Sequence, residues 1–153
     1  MNLFPCLARL RCAALVALGG GAVAQAMSLW GGQLARFLPS FPVMALAGVA
    51  GAGVAGAVLA DAFGRFGVRG VLWSVLAWPL ATLLGGMIGA AVATIIATWG
   101  QMQGVVEVVT DAAPLGILAL ADAIATSPAV AGVWMLSGLA VHYGARAERG
   151  VPI

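Results

Sequence analysis

The sequence predicts an all-helical integral membrane protein, a bundle of four helices, and three observations lead to it. Of the 153 residues, 63% are hydrophobic, and 22 more are glycine. Charged residues make up only 8% and Lys is absent, whereas a water-exposed surface needs about 25–35% charged positions. The apolar residues also fall into long runs bounded by charge, and a bilayer core takes about 20 such residues as a helix. A chain of this length makes one compact unit, so residues 1–153 are expected to form a single membrane domain.

Four runs meet the length requirement. The first spans about Ala13 to Trp30 after Arg9 and Arg11, and the second spans Phe41 to Ala60 before Asp61, Arg65 and Arg69. The third covers about Val71 to Trp99 with a kink expected at Pro79, which cannot donate the helical hydrogen bond. Trp78 and Trp99 would then mark opposite interfaces. The fourth is placed at about Ala123 to Tyr143, leaving residues 101–122 as an acidic, partly amphipathic external segment broken by Pro114. Ala24-Gln25-Ala26 also fits the small-x-small pattern of a signal-peptide cleavage site, but Met27, Leu29 and Trp30 continue the apolar run and favour a retained helix.

Placing the amino terminus inside puts Arg9, Arg11, Arg65, Arg69, Arg146 and Arg149 in the cytoplasm and Arg36 outside. That positive-inside bias predicts two cytoplasmic termini in a bacterial inner membrane. Cys6 and Cys12 then face a reducing compartment, where a disulfide is not expected. The arginines form no run able to neutralise several phosphates, so nucleic acid is not an expected partner.

Small residues recur at four-residue spacing, which aligns them on one helix face and lets backbones approach closely in lipid. The second span carries Gly48, Ala52, Gly56, Ala60 and Gly64; the third carries Ala77, Ala81, Gly85, Gly89, Ala93 and Ala97. Gly48, Gly56, Gly85 and Gly89 are the expected packing sites. Gly51 to Gly56 also spells GxGxxG, but the string lies inside an apolar run with no acidic residue near Leu76, so dinucleotide binding is not expected.

Polar candidates are few. Asp122, near Thr126 and Ser127, is read first as a solvated outer-interface residue and second as a buried proton or cation relay. Thr94, Thr98 and Gln101 share a helix face and, with Thr82 and Asp122, would line any transport path. Glu107 and Asp111 are read as a solvated face, and Asp61 with Arg65 as an interfacial pair. His142, the sole histidine, is read as an interfacial residue beside Tyr143. HExxH, P-loop and GxSxG patterns are absent, so neither a catalytic centre nor a cofactor or metal is expected.

In the last span, Thr126-Ser127-Pro128, Val130, Gly132, Gly138 and Arg146 follow an order that resembles the carboxy-terminal span of the small TrgA-type tellurite-resistance membrane proteins of alphaproteobacteria. The overall size, the four-span plan and the Gly64 to Gly70 loop are similar as well. The resemblance implies a role in oxyanion or envelope stress tolerance and no catalytic residue.

Two functions compete on this reading. The first is a packing, assembly or accessory subunit that works as a homo-oligomer or within a larger membrane complex, supported by dense small-residue stripes and scarce polar chemistry. The second is a small oligomeric channel or transporter using the Thr94, Thr98, Gln101 and Asp122 path.

Overall fold

The structure, a computed structural model, describes residues 4–34, 41–97 and 105–148. These form five α-helices and no strand: α1 (Phe4–Trp30), α2 (Phe41–Leu59), α3 (Gly67–Ala97), α4 (Val105–Thr126) and α5 (Pro128–Glu148). A short 3-10 turn, Ala60–Ala62, extends α2. Three helical stretches are long and apolar enough to cross a membrane, namely Leu7–Trp30, Ala45–Ala62 and Gly67–Ile96. The broken pair α4 and α5 would make a fourth.

Helices α1, α2 and α3 pack in sequence as antiparallel neighbours, and side-chain size explains how closely. A Cβ on Gly56 would lie 2.6 Å from Val16 Cβ, and one on Gly48 would lie 3.0 Å from Ala24 Cβ. Across the next seam, a Cβ on Gly51 would run into the Gly85 carbonyl, and one on Gly89 would lie 3.0 Å from the Ala47 carbonyl oxygen. These backbones meet because one side of each contact is a glycine with no side chain. The α3 stripe Ala77, Ala81, Gly85, Gly89 and Ala93 is buried throughout; the Ala97 side chain lies outside the described residues. The GxGxxG string lies within α2, with Gly51 facing α3, which provides no strand-to-helix turn for a pyrophosphate.

Elsewhere the helix boundaries differ from the sequence reading. Helix α1 begins at Phe4 rather than near Ala13, and α3 begins at Gly67 and runs through Pro79 as one helix. Residues 105–122, expected as an external segment broken at Pro114, belong to α4, which contains that proline. The break falls at Ser127 instead, inside the expected fourth span, and α4 and α5 bend there by 109°. Local chemistry explains the position. Proline disfavours helical backbone in the residue before it and suits the first turn of a helix, and the Ser127 hydroxyl accepts from the Val130 N–H at 3.4 Å as a cap.

The turn between α2 and α3 requires glycine. Gly64 has φ +69°, and a Cβ there would lie 2.6 Å from the Ala145 carbonyl carbon. This contact, together with the Arg9–Asp61 ion pair at 2.7 Å, places the start of α1, the α2–α3 turn and the end of α5 at one end of the molecule. Around that end, Cys12, Val16, Phe63, Trp78 and Val141 share one apolar core. Toward the opposite end a second core joins Val23 and Met27 of α1 to Leu120 and Ala123 of α4 and Val130 of α5.

Candidate functional site

Two features stand out: a set of buried polar ties between α3 and α5, and an apolar cleft beside them. The ties are set by four-residue spacing on both helices. Ser74 and Trp78 lie on one face of α3, and Trp134, Gly138 and His142 lie on the facing side of α5. The Trp78 indole N–H donates to the Trp134 carbonyl at 2.9 Å, and its ring lies against Gly138, where a Cβ would come within 2.7 Å of Cδ1. The two indoles stack at a tilt, with centroids 6.4 Å apart. One turn away, Ser74 Oγ lies 2.6 Å from His142 Nδ1 and 3.3 Å from the Ala62 carbonyl oxygen.

The hydroxyl has one proton for these two acceptors. If it donates to Ala62, Nδ1 carries the imidazole proton and donates to Oγ; if it donates to Nδ1, the proton sits on Nε2. Among the described residues Nε2 has no hydrogen-bond partner, and neither do the buried Trp134 Nε1 and Arg146 Nε. The arrangement holds two helices in register, and among the described residues no three His, Cys, Asp or Glu side chains gather as a metal site.

Trp78 and His142, both read as interfacial, are 5% and 6% exposed and bonded inside the protein. Pairing across α3 and α5 takes up the Trp78 N–H and His142 Nδ1, while His142 Nε2 stays without a partner among the described residues. Trp99 lies outside the described residues.

The cleft lies between α1, α2, α3 and α4, and its cavity volume is about 90 Å³. Among the described residues its walls are Gly, Ala, Val, Met and Leu, with Trp78 and with Thr82 as the one hydroxyl. Thr82 Oγ1 is already bonded to the Pro79 carbonyl at 2.8 Å. The glycines and alanines that bring the helix backbones together also leave this volume unfilled where α4 crosses over α3 at Gly86 and Gly116.

The predicted packing glycines Gly48, Gly85 and Gly89 sit between helices and also line the cleft, while Gly56 is wedged against Val16. The predicted path residues do not come together as a lined route. Thr94 donates its hydroxyl to the Ala90 carbonyl at 2.8 Å, and Thr98 and Gln101 lie outside the described residues. Asp122, expected to be simply solvated, is half-buried and accepts the Leu34 N–H on Oδ2 at 3.1 Å, tying the segment after α1 to α4. Its backbone carbonyl accepts from Thr126 at 2.6 Å.

At the arginine-rich end, Asp61 gives its carboxylate to Arg9, while Arg65 bonds the Asp61 carbonyl at 2.6 Å, so the expected i, i+4 side-chain pair is replaced by these two contacts. Arg65 also lies over the Trp73 ring and Arg146 over Phe66. Cys12 is buried. The side chains of Cys6, Glu107 and Asp111, and residues Arg36 and Arg149, lie outside the described residues.

Sequence reading missed Ser74 and Trp134, although Ser74-Trp78 on α3 and Trp134-Gly138-His142 on α5 repeat every four residues and so mark one face each. Comparison of the chain with protein-family models, with curated proteins and with solved structures gives no match.

Proposed function

We propose that the chain is a small multi-pass protein of a bacterial inner membrane, with both termini cytoplasmic, acting as a packing, assembly or accessory subunit of a membrane complex. The observation that carries this reading is the outer face of α3. Along it Val68, Val71, Leu72, Val75, Leu76 and Leu80 are all exposed, while Ser74 points inward and is bonded. A face of bulky apolar residues with Ser74 turned inward suits lipid or another apolar helix and not water. The resemblance of the last span to tellurite-resistance proteins extends the proposal to oxyanion or envelope stress tolerance.

The channel reading has less support. Among the described residues the cleft carries no charged group, and the hydroxyls of Thr82 and Thr94 are turned back to their own helix. Native purification with mild crosslinking and mass spectrometry separates the readings. A stoichiometric larger partner supports the accessory role, a homo-oligomer alone keeps the channel alive, and a lone monomer removes both.

A further inference from the structure

We propose that Arg65 and Arg69, beside the exposed Trp73 ring, hold the phosphate of an anionic phospholipid whose acyl chains run along the outer face of α3. This rests on the membrane reading above and names the lipid class that the face selects.

The turn before α3 brings the two arginines to one place. A Cβ at Gly70 would run into the Arg65 carbonyl, so Arg65 is laid against the first turn of the helix. From there its guanidinium reaches over the Trp73 ring, 5.8 Å from the centroid. Arg69 stands four residues before Trp73 on α3, and side chains at that spacing are neighbours, their Cβ atoms about 5–6 Å apart. Both arginines and the indole are exposed. Arg65 donates to the Asp61 carbonyl through Nε, which leaves its two terminal amino groups to donate elsewhere. The Asp61 carboxylate is given to Arg9, and among the described residues no carboxylate pairs with Arg65 or Arg69. Arg146, over Phe66 at 5.4 Å, adds a third positive charge at the same end.

What adjoins this charge decides the occupant. On the face of α3 that carries Arg69 and Trp73, Leu72, Leu76 and Leu80 are bulky, apolar and exposed. A ligand that satisfies both regions has a negative head and a long apolar body, as an anionic phospholipid does. Its phosphate accepts from the forked N–H groups of guanidinium, and an indole prefers headgroup depth. A choline lipid matches less well, because its ammonium group would lie near the arginines. A second copy meeting this face through its own α3 would set Arg65 and Arg69 against the same residues, like charge against like. A free phosphate ion or an acidic peptide would leave the leucines uncovered.

The test uses the full chain in phosphatidylcholine liposomes that contain, in separate samples, phosphatidylglycerol or phosphatidylcholine with a photoactivatable diazirine in the upper part of one acyl chain. Adducts on Leu72, Trp73 and Leu76 are counted by mass spectrometry against those on Leu136 and Leu139, which are exposed on α5. Phosphatidylglycerol is expected to label the α3 positions at least about fivefold more than phosphatidylcholine, the gain that one arginine near an anionic surface gives. Arg69→Gln, which breaks no ion pair among the described residues, should bring that ratio toward parity, and Arg69→Lys should keep most of it. Equal labelling by the two lipids, or a preference untouched by Arg69→Gln, overturns the proposal and spares the membrane reading. Protection of the α3 positions from both lipids while Leu136 and Leu139 react means that another protein covers the face, and overturns it too. Labelling of neither region overturns the membrane reading as well.

Discussion

Ser74 on α3 and His142 on α5, 68 positions apart in sequence, meet through a 2.6 Å contact between Oγ and Nδ1, and both side chains are buried. Removing Ser74 leaves His142 Nδ1 without this bond where water cannot replace it, whereas removing His142 leaves Ser74 its bond to the Ala62 carbonyl. Ser74→Ala is expected to lower stability by about 1 kcal/mol, between the average of about 0.6 for interhelical bonds in membrane proteins and the higher cost of a buried orphan. Combining it with His142→Phe should cost less than the sum of the two single changes. Reversible unfolding in mixed micelles, run as a double-mutant cycle, measures the coupling, and strict additivity would show that the contact contributes nothing.

Bulk at the α2–α3 seam should separate the helices. A Cβ on Gly85 would already lie 3.2 Å from Ala52 Cα, so Gly85→Leu with Gly89→Leu is expected to cost at least about 1–3 kcal/mol as overpacking. Gly132 is the matched control, because nothing lies within 4 Å of a Cβ placed there. Gly132→Ala should stabilise α5 by about 0.4–1 kcal/mol through helix propensity and unfolded-state entropy. Thermal unfolding of the two variants should therefore shift in opposite directions.

Asp122 is expected to tolerate loss of charge better than loss of its oxygen. Asp122→Asn keeps an acceptor for the Leu34 N–H and should stay within about 0.5 kcal/mol, with normal abundance in membranes. Asp122→Ala removes the acceptor and should cost about 1 kcal/mol. A pH-dependent flux in proteoliposomes that disappears in Asp122→Asn at unchanged stability would instead promote the transporter reading.

Reporter fusions at Gly67 and Ile153 should indicate the cytoplasm, and one at Val106 the periplasm. Arg146 lies beside the Gly64 turn, so the first two positions are expected to agree with each other. A periplasmic signal at Ile153 would remove the proposed topology.

The all-helical class and the first three apolar helices were legible because they depend on composition along a continuous run. The inward stripe on α3 was legible for the same reason, since spacing alone sets which residues share a face. The bend at Ser127 was written in Ser127-Pro128 as a cap and a helix start, but a count of apolar residues from Ala123 to Tyr143 ran straight across it. Buried His142 and Trp78 were not legible, because their partners Ser74 and Trp134 come from distant parts of the chain and only packing brings them together. The cleft was hidden too: glycine spacing shows where backbones can approach, not where the space left over will lie.

Because α5 packs along α1 and completes the bonds of Ser74 and Trp78, the last helix made closes on the first. Contacts between chain ends form slowly, since a long loop must be closed before they contribute. During synthesis α3 would enter the bilayer with its indole unpaired and Ser74 lacking its His142 contact, and would stay so until residues 128–148 leave the ribosome. Such an intermediate offers a docking opportunity to an insertion chaperone and a cleavage opportunity to a quality-control protease. A chain truncated before Pro128 should accordingly be short-lived in the cell even though its first three apolar helices are intact.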